Sequence, residues 1–119
     1  MRRYCLVNEL KSENVGDYEE IHKTAHLTHW QSQLEALKEA GAVNCITYIY
    51  KNLSILFYEC EEIGESFRKL DTIKENKEWQ EVVLPWFANS PKFDGNDDSG
   101  EARKVFDLKQ QLEGYLDEF

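Results

Sequence analysis

The apolar run Tyr4–Val7 makes "RRYCLVNEL", residues 2–10, rich in strand formers and predicts a strand ending where "KSENVGD" collects turn and helix-start residues. From Val15 the spacing becomes helical. Asn14, with Asp17 three residues on, is the expected N-cap, and Gly41 is expected just past the far end. No single apolar face runs through this stretch: Val15, Tyr18, Ile21, His22 and Ala25 share one side, whereas Leu27, Trp30, Leu34 and Leu37 share another. The face changes between Ala25 and Leu27, where Thr28 followed by Gln31 has the form of a second capping box. The pattern therefore predicts a short helix over 15–24, a break, and a longer helix over 29–40.

Two runs, "VNCITYIY" and "LSILFYEC", flank Lys51 and Asn52 and predict a β-hairpin with a two-residue loop, Asn52 being the residue that accepts positive φ. In that register Tyr50, Tyr48 and Ile46 oppose Leu53, Ile55 and Phe57 on one face, and Ile49, Thr47 and Cys45 oppose Ser54, Leu56 and Tyr58 on the other. Both faces are largely apolar, so each needs a cover. Helical spacing returns in Ile63, Phe67 and Leu70, then in Trp79, Val82, Val83 and Trp86, with Pro85 limiting the run. Residues 88–101 are loop by composition, "ARKVFDL" reads as a last strand, and 109–119 form a tail that can close as a helix. The order is βαββαβ in one domain over 1–119: a ferredoxin-like α+β arrangement, an antiparallel sheet with helices on one face. The other face argues for a homodimer packed sheet against sheet.

Charge narrows the partners. With 14 basic and 23 acidic residues the net charge is -9, which repels a nucleic-acid backbone. No apolar stretch is long enough to span a bilayer, and Asn8 and Glu9 break the first apolar run; the expectation is a soluble, cytoplasmic protein. Cys5, Cys45 and Cys60 are odd in number and far apart, and read as reduced, buried thiols rather than a disulfide framework or a thiolate metal site.

All three histidines lie in "YEEIHKTAHLTHW", residues 18–30. Their spacing, i, i+4, i+7, would align three imidazoles for zinc on an unbroken helix, but the inferred break undoes that geometry and no cysteine is near. No metal is expected, and His26 and His29 read as solvent-facing. His22 lies one turn after Tyr18 on the face of Val15 and Ile21, partly buried beside a phenol, where an imidazole can exchange a proton near neutral pH. A structural histidine would show the same pattern. Trp30 and Trp79 read either as core or as a flat wall for the C–H face of a sugar.

Taken in order, "RRYCLVNEL", "YEEIH", the tryptophan leading into "LEALKEAGAVN", the tyrosine-containing strand, "LF" in its hairpin partner, "EW" and the closing "VFDL" resemble the L-rhamnose mutarotase family over residues 2–108. The resemblance implies a ferredoxin-like dimer, a dimeric α/β barrel, that interconverts the α and β anomers of L-rhamnose or a related 6-deoxy sugar without a cofactor. It places the catalytic histidine at His22, a substrate-contacting tyrosine at Tyr18, and the family's tryptophan pair at Trp79 and Gln80, with Trp30 a further sugar-contact candidate. On this reading His22 shuttles a proton, Tyr18 orients it or the sugar, and Trp79 supplies a stacking wall, the imidazole being held against the open side of the sheet. The chain departs from the family where "W-P-E" becomes "WQS", where Cys45 replaces a sugar-contacting tyrosine, and where Gln80 replaces the second tryptophan. Two other classes share the architecture: a cofactor-free monooxygenase and a non-catalytic binding homodimer.

Overall fold

The computed structural model describes residues 1–89 and 100–114; most of the expected 88–101 loop, and the tail from 115 on, lie outside them. Strand β1 (Arg2–Glu9) pairs antiparallel with β3 (Leu53–Cys60), from Arg2 opposite Cys60 to Glu9 opposite Leu53. On the other side of β3 lies β2 (Asn44–Tyr50), with Cys45 opposite Tyr58 and Tyr50 opposite Leu53, the register the alternation predicts. The two-residue loop is formed, but Lys51 takes the positive φ, 56°, in place of Asn52. Asn52 is held otherwise: its N–H₂ donates to the Leu10 carbonyl at 3.2 Å, and its own carbonyl accepts from the Leu10 N–H at 2.7 Å.

A two-residue strand, β4 (Gly100–Glu101), pairs with the free edge of β1 and completes the order β2-β3-β1-β4. That order is the ferredoxin-like one. The expected strand over 102–108 is thus displaced: after the Ala102 N–H donates to the Arg3 carbonyl, the chain leaves the sheet. Asp107 explains the exit, because its carboxylate accepts from the Gln110 N–H and starts a short helix, α5 (Leu108–Leu112). Val105 and Phe106, expected in the sheet, are exposed.

Between β1 and β2 the chain forms α1 (Val15–Thr24), a 3₁₀ turn over Ala25–Leu27, and α2 (Gln31–Glu39). The break falls where the apolar face changes. Thr28 holds it open by accepting from the Trp30 N–H at 3.2 Å, whereas Asn14 bonds the Asp17 side chain and does not cap α1 through its own. The inward stripe of α2 differs from the expected one: Gln33, Ala36 and Ala40 are buried, whereas Leu27 and Leu34 are exposed. Gly41, with φ 93°, ends the helix in the left-handed conformation that glycine tolerates best.

After β3 come α3 (Ile63–Leu70) and α4 (Lys74–Val83), then a 3₁₀ turn at Leu84–Trp86 where Pro85 prevents continuation. Of the four expected stripe positions, Trp79 and Val83 are buried, Val82 is exposed, and Trp86 is half-buried on the turn. All helices between strands cover one face of the sheet. One core cluster there joins Tyr4, Leu6 and Tyr58 to Ala36, Ile63, Phe67 and Leu70. A second joins Leu10, Tyr18, Trp79, Val83 and Phe87. The opposite face leaves Val7, Ile46, Tyr48, Tyr50 and Phe57 exposed. Among the described residues no helix is long and apolar enough to cross a membrane.

Candidate functional site

A cleft of about 1370 Å³ opens between α1, α2 and α4 and the helix-covered side of β2 and β3. Tyr18, His22, Trp79 and Gln80 border it, together with Gln33 and Cys45. Trp30 does not border it. The indole stands edge-on to Trp79, centroids 5.3 Å apart at 85°, and supports that ring from behind. The imidazole is therefore on the covered side of the sheet rather than the open side, because α1 turns Tyr18 and His22 toward Ser54 and Trp79.

The spacing of α1 builds the local geometry. Residues four apart stack on one helix face, so the His22 ring lies on the Tyr18 ring with centroids 4.2 Å apart. Its Nδ1 sits 2.7 Å from the Tyr18 carbonyl. A carbonyl only accepts, so Nδ1 carries the hydrogen and Nε2 of the neutral ring keeps its lone pair. Trp79 meets the imidazole edge-on at 5.1 Å and 82°. On its other side Tyr18 meets Phe87 at 5.5 Å and 81°. Five aromatic rings, Phe87, Tyr18, His22, Trp79 and Trp30, thus form one continuous series with the imidazole in the middle.

Burial disfavours the imidazolium and lowers the His22 pKa from its ordinary 6.5, while the bond to the Tyr18 carbonyl opposes that shift. The ring is neutral at pH 7. Burial likewise raises the Tyr18 phenol, whose hydroxyl shares a 2.8 Å hydrogen bond with Ser54. Cys45 is exposed, Cys5 half-buried and Cys60 buried, so the expectation of three buried thiols holds only for the last. Water reaches Cys45, yet protein fills enough of the space around it on the cleft floor to push its thiol up to about 11. His26 and His29 are exposed, and among the described residues no group of three or more His, Cys, Asp or Glu is placed to hold a metal ion.

Sequence reasoning missed Gln33 and Asn76. Both are buried, at 4% and 3% exposure, and both border the cleft. Gln33 donates through Nε2 to Asn76 Oδ1 at 2.9 Å, and Asn76 donates through Nδ2 to the Leu70 carbonyl at 3.2 Å. The signal was present: Gln33, Ala36, Leu37 and Ala40 have the spacing of a buried stripe, with one amide in it.

A model of the L-rhamnose mutarotase family matches residues 3–108. No curated protein matches the chain. Among solved structures, the crystal structure of an L-rhamnose mutarotase from Formosa agariphila is similar at a TM-score of 0.62 and 18% identity, covering 91% of this chain and 99% of that one. At that identity the likeness is one of fold.

Proposed function

The chain belongs to the L-rhamnose mutarotase family, isomerases that act on sugars, and from that premise we propose that it interconverts the α and β anomers of L-rhamnose or a related 6-deoxy aldose, with His22 as the proton carrier. One observation carries the reading: an imidazole whose Nδ1 is tied to a main-chain carbonyl at 2.7 Å borders a cleft beside an indole. That arrangement leaves Nε2 as a base of fixed tautomer.

Anomers interchange when the pyranose opens and recloses on the other face of C1. Nε2 of neutral His22 takes the proton of the anomeric hydroxyl, the bond from C1 to the ring oxygen breaks, and the imidazolium returns that proton to the ring oxygen. Both oxygens are bonded to C1, so one imidazole serves both. Rotation about the C1–C2 bond and the reverse transfers give the other anomer. The reaction is redox-neutral and forms no bond to the protein, so no cofactor is called for. Tyr18 orients the imidazole through its carbonyl and its ring, Trp79 stacks on the sugar with Trp30 bracing it, and Gln80 hydrogen-bonds at the same wall.

The open sheet face, with Val7, Ile46, Tyr48, Tyr50 and Phe57 exposed, supports a homodimer packed through it. Three free thiols suit the cytoplasm. The test is exchange spectroscopy by NMR on L-rhamnose and a panel of aldoses at anomeric equilibrium. Catalysed exchange above the spontaneous rate is expected for L-rhamnose or a close relative. Unchanged exchange across the whole panel defeats the proposal.

A further inference from the structure

The buried amide of Gln33 is fixed in one orientation by a chain of hydrogen bonds that starts at the backbone. The Leu70 carbonyl can only accept, so Asn76 must present Nδ2 to it, and Oδ1 then faces Gln33. Gln33 must answer with Nε2. Among the described residues its Oε1 is left sealed from water and without a donor, and so is Oε1 of Gln80, one helical turn beyond Asn76 on α4. Two acceptor oxygens thus stand unsatisfied on one polar seam between α2 and α4, beside Leu34, Leu37, Leu70 and Val83 in the cleft lining.

Folding gains nothing from this. An unsatisfied buried carbonyl is a penalty that an apolar side chain of similar size would avoid, and native proteins keep few of them. A group that supplies a hydrogen while occupying the cleft removes the penalty. The missing partner is a donor, which a sugar hydroxyl is and a carboxylate or a methyl is not.

We propose that Gln33, clamped by Asn76 and assisted by Gln80, is a specificity-determining residue that accepts a hydrogen bond from one hydroxyl of the bound sugar. The proposal rests on the mutarotase reading of the cleft and extends it by naming what this wall recognises. Neither oxygen meets water in the structure, so each amide has to turn slightly to be used; the terminal torsion of glutamine is broad. The substrate is then an aldose distinguished by a hydroxyl at this wall, and its deoxy analogue at that position is rejected.

The test uses the double variant Gln33→Met with Asn76→Leu. It removes the orphan at position 33 without creating another, because the Leu70 carbonyl keeps the Ile73 N–H at 3.0 Å. Dissociation constants and anomer-exchange rates are measured by NMR for L-rhamnose, its monodeoxy analogues, and L-mannose, which bears a hydroxymethyl group in place of the methyl. The wild-type protein should bind the analogue lacking the recognised hydroxyl about 10- to 100-fold more weakly than its parent. The double variant should erase that preference and melt at or above the wild-type midpoint. Equal weakening for every sugar, or an unchanged preference in the variant, overturns the proposal. Selective binding without exchange would defeat the mutarotase reading and leave this subsite standing. Exchange without a hydroxyl preference sensitive to Gln33 would do the opposite.

Discussion

Removing a single oxygen at Tyr18 separates two ways in which that residue can serve the site. The phenol is 6% exposed and bonded at 2.8 Å to Ser54, itself 3% exposed, whereas the imidazole is held by the Tyr18 main-chain carbonyl and by ring contact. Tyr18→Phe keeps the carbonyl and the ring but strands the Ser54 hydroxyl in the interior. Leaving such a group unpaired costs about 1–3 kcal/mol. Ser54→Ala strands the phenol instead, at a similar cost. In the double variant neither polar group remains, so its destabilisation should be no larger than that of either single, a coupling at least as large as one single, about 1–3 kcal/mol. For a chain of this length, each single should lower the melting midpoint by about 4 °C per kcal/mol, readable by calorimetry. Because the imidazole is anchored by the main chain, kcat/KM of Tyr18→Phe should fall by less than about tenfold. A loss of about a thousandfold in rate for Tyr18→Phe with a silent Ser54→Ala would refute this division, since the phenol would then be acting on the sugar itself.

Other measurements bear on the remaining parts of the site. His22→Ala should lower kcat by about 10²–10⁴-fold with the fold retained by circular dichroism; an undiminished exchange rate would remove His22 from the mechanism. Since burial lowers the His22 pKa, kcat/KM should stay level through neutral pH and fall only as the pH drops below the ordinary 6.5. The linked stability has the same sign, because the unfolded imidazole takes up its proton first: folding free energy is full above the unfolded value and declines as acid carries the pH through it to the lower folded pKa. Trp79→Ala should cost about 3–5 kcal/mol, whereas Trp79→Phe should keep the fold and appear mainly in KM, both readable from melts and exchange kinetics. Tyr48→Glu, on the open sheet face, should convert a dimer to monomers in sedimentation velocity; an unaltered dimer would place the interface elsewhere.

Much of the fold was legible because strand and helix periods differ and both are strong here. Tyr50, Tyr48 and Ile46 had to oppose Leu53, Ile55 and Phe57 once a two-residue loop was assumed, and they do. The helix break was legible from a face that jumps between Ala25 and Leu27. The last strand was not, because "ARKVFDL" has strand-forming composition while the decisive residue is Asp107, whose capping of α5 pulls the chain off the sheet edge. Periodicity also misassigned the inner face of α2. Leucines at 27 and 34 look like core, but the turn at Ala25–Leu27 rotates the helix so that small residues and Gln33 face inward. The positive φ fell on Lys51 because Asn52 is bonded on both sides to Leu10, a tertiary contact that no local rule contains.

The side of the sheet on which the imidazole lies follows from the same kind of contact. A neutral base near pH 7 needs enough burial to discourage its proton and one fixed acceptor to set its tautomer, and these effects oppose each other at His22. A ring on the uncovered sheet face of the isolated chain would have neither. On the covered side, α1 supplies the acceptor from its own backbone one turn earlier, and Trp79 supplies the burial from α4. The rings that position the imidazole are also core: Tyr18, Trp79 and Phe87 are buried in the second cluster. Orientation of the proposed proton carrier therefore requires no separate structural element, and any substitution that loosens this core should disturb the tautomer and the pH profile before it unfolds the domain.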